Sequence, residues 1–284
     1  MTAAEQLTDP VAVHAEGPVW YPGWGGLRWV DMLAGDILHL TDAAAIERWP
    51  VGRVAAAFRP RAGGGVVIAT ERELVVADEA GGPVRSLAEV FTDPALRFNE
   101  GGCDPSGNFI VGTMAYAETP GAGTVYRLSP DGRVDVVLSG VTISNGLAWT
   151  ADGTTAYYND TRTQRVDAFS WDAERGLHDR RPFASIDVAD GSPDGLTVDA
   201  EGGVWTALWG GSAVRHYDAA GRLDEVIELP VPQVSACTLG GDRLDRLFIT
   251  TSSDGEDMSR YPSAGSVFVA DVGTPGLPVL PYAG

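Results

Sequence analysis

The sequence predicts an all-β protein, a six-bladed β-propeller, from three observations: short β-branched and aromatic runs along the whole chain, no segment with a sustained helical period, and one strand pattern that returns six times. The runs include Val66 to Thr70, Leu74 to Ala77, Phe109 to Thr113, Thr124 to Leu128, Val166 to Trp171, Val204 to Leu208 and Leu247 to Thr251. The 36 Gly and 18 Pro are spread between these runs rather than gathered in one linker, which is the punctuation of many short strands. Ala43 to Glu47 is too short for a helix.

The repeat is a polar residue, an apolar strand, a tight Asp/Gly turn and a second strand. Asn99 leads through GGCDPSG to FIVGT, Asn145 through GLAWTADG to TAYYN, and Asp194 through GLTVDAEG to VWTAL. In each copy the turn glycine (Gly107, Gly153, Gly202) follows the polar residue by eight positions. Looser copies begin at Glu16, near Ala56 and at Ala236. A period of roughly 40 to 50 residues with about four strands is one propeller blade. Six such units fill residues 1–284 as a single propeller domain, with a pair of β-sandwiches as the second architecture. The strand within Gly265 to Val272 belongs to the last blade, and the N-terminal strand is expected to join that blade and close the ring, removing an open sheet edge.

Composition excludes several functions. The formal charge of −19 disfavours phosphate backbones and anionic membranes, so neither nucleic acid nor a membrane is an expected partner. All 20 basic residues are Arg, which excludes Schiff-base chemistry and a lysine-bearing phosphate loop. The N-terminal MTAAEQLTDP lacks the basic start and apolar stretch of a signal peptide, and a cytoplasmic location is expected. Cys103 and Cys237 show no metal or redox spacing and read as buried apolar residues. The four histidines show no metal spacing and read as surface or core residues; no Gly-x-Ser-x-Gly elbow supports a serine nucleophile.

The first strand of each propeller blade lines the central channel, so the residue opening each copy converges with its counterparts. Around the ring these are Glu16, a small residue near Ala56, Asn99, Asn145, Asp194 and Ser235 or Ala236. Two carboxylates and two amides at one channel mouth call for a positive partner. All-oxygen donors favour one divalent cation, Ca²⁺ before Mg²⁺ or Mn²⁺, with Zn²⁺ also able to use carboxylate oxygen. The Asp residues of the turns, Asp104, Asp152 and Asp199, are expected only to brace them.

Six stretches carry a family resemblance over the whole chain: AEGPVW at 15–20, RFNEGGCDPSGNFIVGTMA at 97–115, SNGLAWTADG at 144–153, DGSPDGLTVDAEGGVW at 190–205, SACTLGGDRLDRLFITT at 235–251 and the terminal PYAG. They resemble the senescence marker protein, gluconolactonase and regucalcin family. The resemblance implies a divalent metal held by Glu16, Asn145 and Asp194, with Asn99 nearby and able to contact substrate. It further implies substrate contacts from Arg97 and from Glu118. The family's usual Asp after that Asn is here Glu100, which bears on the substrate pocket. The segment around Trp24, set among glycines, matches nothing in the family pattern and reads as a lid, a rim or an exposed hairpin turn.

The activity so implied is metal-dependent opening of a small sugar (aldono-) lactone, the substrate being the expected partner of a monomer or small homo-oligomer. The metal would polarise the carbonyl, and Asp194 is the first candidate for the base, with Glu100 in reserve. A metal-dependent phosphotriesterase is the alternative, followed by a non-catalytic calcium-binding propeller.

Overall fold

Short apolar runs bounded by Gly, Pro and Asp fold into 24 strands among the described residues, 3–284, of the computed structural model. After β1 (Glu5–Gln6), the first blade comprises β2 (Ala15–Tyr21), β3 (Gly26–Asp31), β4 (Asp36–Leu40) and β5 (Ile46–Pro50). The second comprises β6 (Ala57–Pro60), β7 (Val66–Ala69), β8 (Glu73–Ala77) and β9 (Arg85–Glu89). The third comprises β10 (Leu96–Cys103), β11 (Phe109–Ala115), β12 (Gly123–Leu128) and β13 (Val134–Val141). The fourth comprises β14 (Ser144–Trp149), β15 (Thr155–Asp160), β16 (Arg165–Asp172) and β17 (Gly176–Ser185). The fifth comprises β18 (Ser192–Val198), β19 (Val204–Trp209), β20 (Ala213–Tyr217) and β21 (Leu223–Glu228). In the sixth, β22 (Val234–Gly240), β23 (Arg246–Thr251) and β24 (Val267–Asp271) are completed by β1.

This is the six-bladed propeller predicted from the repeat, with the expected closure. Glu5 pairs with Val269 and Gln6 with Phe268, so the N-terminal strand covers the outer edge of the last blade. Next to the pair, Leu7 donates its N–H to the Val267 carbonyl at 2.8 Å.

Apolar side chains from both faces of each sheet fill the spaces between blades. Phe58, Phe98 and Phe109 share one such cluster and are fully buried; Trp205, Val214 and Ile249 share another. The first-to-second hairpin turns are braced as expected. Asp104 Oδ1 accepts the N–H groups of Ser106 and Asn108, Asp152 Oδ1 that of Thr154, and Asp199 Oδ1 those of Glu201 and Gly203. Gly153 completes its turn at φ +69°, a left-handed conformation open to glycine at little cost.

The inner strands β2, β6, β10, β14, β18 and β22 contact one another in succession around the channel. Each begins at the end where the repeat-opening polar residues stand and runs away from it. The other end is crossed by the C-terminal segment. Ala200 N–H donates to the Pro275 carbonyl, Tyr282 N–H to the Pro60 carbonyl and Ala283 N–H to the Gly107 carbonyl. Between that segment and the inner strands lies a cavity of about 450 Å³, lined by Trp20, Arg59, Glu100, Trp149, Leu239 and Pro281 among others. The Trp24 segment, a single 3₁₀ turn at Pro22–Trp24, joins β2 to β3 at this same far end, with Trp24 packed on Tyr21 and Phe58. It is therefore no lid over the polar ring, because β2 runs the full height of the channel between Glu16 and that turn. Among the described residues no helix is long and apolar enough to cross a membrane.

Candidate active site at the channel mouth

Each ring residue lies at a β-bulge. In β2 the pairing with β3 steps from Glu16 opposite Val30 to Val19 opposite Arg28, three residues against two. The same one-residue excess occurs between Phe98 and Gly101 of β10, between Ser144 and Leu147 of β14, and between Pro193 and Leu196 of β18. A shift also falls between Val234 and Ala236 of β22, at Ser235, whereas β6 pairs with β7 without one. A bulge bends the strand and re-aims the extra side chain. The glycine that follows the polar residue has its own cause: a Cβ on Gly146 would stand 2.5 Å from Leu196 N, and one on Gly195 2.4 Å from Ala236 Cβ. Inner strands converge here too closely for any side chain. The Asn-Gly and Asp-Gly pairs are thus strand residues at a bulge, not hairpin turns.

Glu16, Asn99, Asn145 and Asp194 are all buried, as are Arg97 and Glu100. Asn99 Nδ2 donates to Asn145 Oδ1 at 2.8 Å and to the Ser144 carbonyl at 2.8 Å, while Asn145 Nδ2 donates to Thr161 Oγ1 at 2.7 Å. Arg97 Nη1 donates to Asn99 Oδ1 at 2.5 Å and to the Phe98 carbonyl at 3.1 Å. These bonds fix both amides with their oxygens and nitrogens assigned. The Asp194 backbone carbonyl accepts from Asn159 Nδ2 at 2.6 Å, but its side-chain Oδ1 is buried without a hydrogen-bond partner among the described residues. Glu16 Oε2 accepts only a long bond, 3.3 Å, from Gly17 N–H.

The electrostatics are those of crowded, buried acid groups. Burial pushes the Glu16 carboxyl up to about 8, with the Glu100 charge adding to it, and raises Asp194 well above the usual carboxylate range, with Glu16 and Glu100 adding to it. Glu100 is pushed up to about 7 by burial, against the pull of Arg59. Arg97 is lowered by burial. Held as charges, two such carboxyls side by side would be costly without a cation among them. Among the described residues no group of three His, Cys, Asp or Glu side chains forms a metal site. The donors of Glu16, Asn145 and Asp194 are hard oxygens and fit a divalent ion.

Further placements bear on the sequence reading. Glu118 stands on the exposed rim at φ +50°, ion-paired with Arg162 of the neighbouring blade. Glu100 points toward the far-end cavity, and its Oε2 is buried without a partner among the described residues. Tyr116, not singled out by the sequence, lies 5.8 Å under the Arg97 guanidinium and donates its hydroxyl to Glu71 Oε1 at 2.6 Å. Cys103 and Cys237 are buried, with burial pushing both thiols up.

His14 is neither an ordinary surface nor an ordinary core residue. It lies two positions before Glu16, hence on the same strand face, and Nε2 stands 3.7 Å from Glu16 Oε1. Burial and then the Arg97 charge hold its pKa down to about 3. Strand alternation was the available signal, but it required knowing that residue 14, just before β2, is held extended by its bridge to Ser252.

Residues 14–253 match the family model described as the SMP-30/Gluconolactonase/LRE-like region. A pentonolactonase, XacC, of Haloferax volcanii is 34% identical over 288 residues, covering 96% of each chain. The chain belongs to the SMP-30/gluconolactonase family. Among solved structures of that kind, a calcium-binding protein, regucalcin, of Agrobacterium tumefaciens superposes with a TM-score of 0.93 at 28% identity, covering 99% of this chain and 97% of that one. A gluconolactonase of Xanthomonas campestris superposes with a TM-score of 0.77 at 25% identity, covering 95% and 89%. Family membership is consistent with lactone hydrolysis, and members named lactonases support a hydrolase.

Proposed function

We propose that this protein is a divalent-metal-dependent lactonase that opens a small sugar (aldono-) lactone at the ring of Glu16, Asn99, Asn145 and Asp194. The observation that carries the reading is the buried, unpartnered Asp194 Oδ1 beside the equally buried Glu16 carboxyl, in a chain whose relatives include a pentonolactonase. Glu16, Asn145 and Asp194 would hold the ion, and their oxygens suit a hard cation such as Ca²⁺. When bound, a divalent cation supplies Lewis-acid polarisation of a carbonyl.

The chain's own residues do the rest. Asp194 takes the proton of the attacking water as the base, its Oδ1 being free of protein hydrogen bonds among the described residues, and returns it to the ring oxygen as the acyl C–O bond breaks. Arg97 bonds the protein through Nη1, which leaves its remaining donors for the oxygens of a lactone. Asn99, locked between Arg97 and Asn145, orients the same face of the substrate. Glu118 accepts hydroxyl hydrogen bonds at the rim. The C-terminal segment crosses the far end, and substrate would enter from the ring side.

The test is a pH-stat assay of purified protein against a panel of five- and six-membered aldonolactones, an open-chain ester and a phosphotriester. Acid release with the lactones and little with the others is expected. Turnover of the phosphotriester instead would move the assignment to a phosphotriesterase, and no turnover of any substrate would remove the catalytic reading.

A further inference from the structure

Three positions beyond the channel-mouth residues, the inner strands bring together a second set: Val19, Arg59, Gly102, Ala148, Thr197 and Thr238. All six line the far-end cavity of about 450 Å³. Arg59, Ala148, Thr197 and Thr238 are half-buried between strand neighbours that are buried, so the cavity is what exposes them. Five blades thus contribute a small side chain at this level, and the second blade contributes a guanidinium. The small residues leave room around it, for a Cβ on Gly102 would already stand 3.5 Å from Arg59 Nη2.

Arg59 and Glu100 are the charged residues of the lining. Arg59 Nη1 donates to the Phe58 carbonyl at 2.7 Å, whereas its Nε and Nη2 have no acceptor among the described residues. Glu100 is buried, and its Oε2 has no partner among the described residues. An enclosed charge without a partner is costly, and a ligand that brings the complementary groups relieves that cost. Much of the remaining wall is apolar, with Trp20, Trp149 and Leu239 at the cavity surface. An apolar enclosure of this volume with a few convergent polar groups is the usual form of a small-molecule site. Its roof is the C-terminal segment. Gly276 N–H donates to the Leu244 carbonyl and Tyr282 N–H to the Pro60 carbonyl, each at 2.8 Å. Residues 277–281 between these anchors make no backbone hydrogen bond among the described residues, and Pro278 and Pro281 have no N–H to donate. That stretch can lift without breaking a backbone bond. A groove of about 550 Å³ meets the cavity at Trp20, Pro278 and Val279 and gives a path from the surface.

We propose that the far-end cavity is a second ligand site, one that takes a small carboxylate with an apolar body and a single hydrogen-bond donor. The carboxylate pairs with the free edge of Arg59, whose forked donors match its two oxygens. The donor bonds Glu100 Oε2, and the body packs among Trp20, Trp149 and Leu239. The site is separate from the lactone reading and stands whether or not the channel mouth holds a cation.

The experiment is calorimetric titration of the full-length wild type with 3-phenyllactate and three analogues, followed by a crystal structure of the 3-phenyllactate complex. 3-Phenylpropionate lacks the donor, 2-phenylethanol lacks the carboxylate, and lactate lacks the apolar body. Saturable binding of one 3-phenyllactate is expected, weakened at least ~10-fold by loss of the carboxylate and less by loss of the hydroxyl. Arg59→Met should weaken 3-phenyllactate by at least ~10-fold while changing 2-phenylethanol far less. The structure should place the carboxylate on Arg59. No binding of 3-phenyllactate at millimolar concentration, equal affinity for 2-phenylethanol, or a molecule bound at the channel mouth with only water in the far-end cavity would overturn the inference. The analogue series and the structure use the wild type, so misfolding of Arg59→Met would not protect the claim.

Discussion

In the proposed reaction Asp194 would meet two demands with one side chain, as a cation donor at the ring and, through its unpartnered Oδ1, as the base that takes a proton from water. Asp194→Asn separates them, because the amide keeps an oxygen donor and loses the basicity. Lactone turnover is expected to fall by about 10²- to 10⁴-fold, the range for loss of a positioned acid–base group, while the far-ultraviolet spectrum stays that of the wild type. Full activity in that variant would remove Asp194 as the base. At this scale the sequence was informative where register could be counted. Asn99, Asn145 and Asp194 precede their turn glycines by the same eight positions, and that offset placed them at one height. It was uninformative for His14 and Tyr116, which lie outside the counted pattern. Their positions come from strand alternation past the end of a repeat and from a contact between blades. Glu118 was placed by motif distance alone, and its pairing with Arg162 on the rim depends on a loop conformation that the motif does not encode.

Among elements, the bulges of β2, β10, β14 and β18 decide whether the ring exists, since a regular strand would alternate past the channel without the extra residue. The sequence marks the bulges of β2, β14 and β18 only by the glycine that follows the polar residue, and that of β10 only by Gly101 and Gly102 after Glu100. An Asn-Gly or Asp-Gly pair reads equally well as a turn until the approach of the next inner strand is known. Gly146→Ala is expected to destabilise the protein by about 1–3 kcal/mol, the usual cost of overpacking, because its Cβ would meet the Leu196 backbone. Chemical denaturation would measure it, and wild-type stability would contradict the close approach. A second element-scale prediction concerns β20. His216 stacks on Trp205 and bonds Asp199 through Nε2 at 2.8 Å and Asp224 through Nδ1 at 2.6 Å. Burial acts to lower its pKa, but the two carboxylates outweigh it and the net shift is upward from 6.5. That contribution to stability is complete below about 6.5 and is lost as pH rises through the raised value. Burial tends to raise Asp199, but the His216 and backbone hydrogen bonds outweigh it and lower its pKa from 3.8, so its share is present above that value and fades as acid is added through the lowered one. His216→Phe should therefore lower the melting temperature more at pH 5.5 than at pH 9. An equal loss at both would exclude this bridge as a source of pH-dependent stability.

For the whole molecule, circular closure turns six short repeats into one site. The blade count, the order of blades and the capture of the N-terminal strand were legible because the repeat period and the end segments are written in order along the chain. The path of the C-terminal segment across the far end of the channel was not, since Tyr282 and Ala283 find their partners at Pro60 and Gly107, far away in sequence. In the proposed reading the ring is the face that substrate reaches, and a cation there would make the buried acid groups compatible. The most direct measurement is lactone turnover by protein stripped with a chelator and then titrated with Ca²⁺, Mn²⁺ or Zn²⁺, following bound metal in parallel. The stripped protein should be inactive, and activity should return saturably as one equivalent of cation binds. Full turnover by the stripped protein, or restored turnover without stoichiometric binding, would contradict a cation-dependent lactonase at Glu16, Asn145 and Asp194.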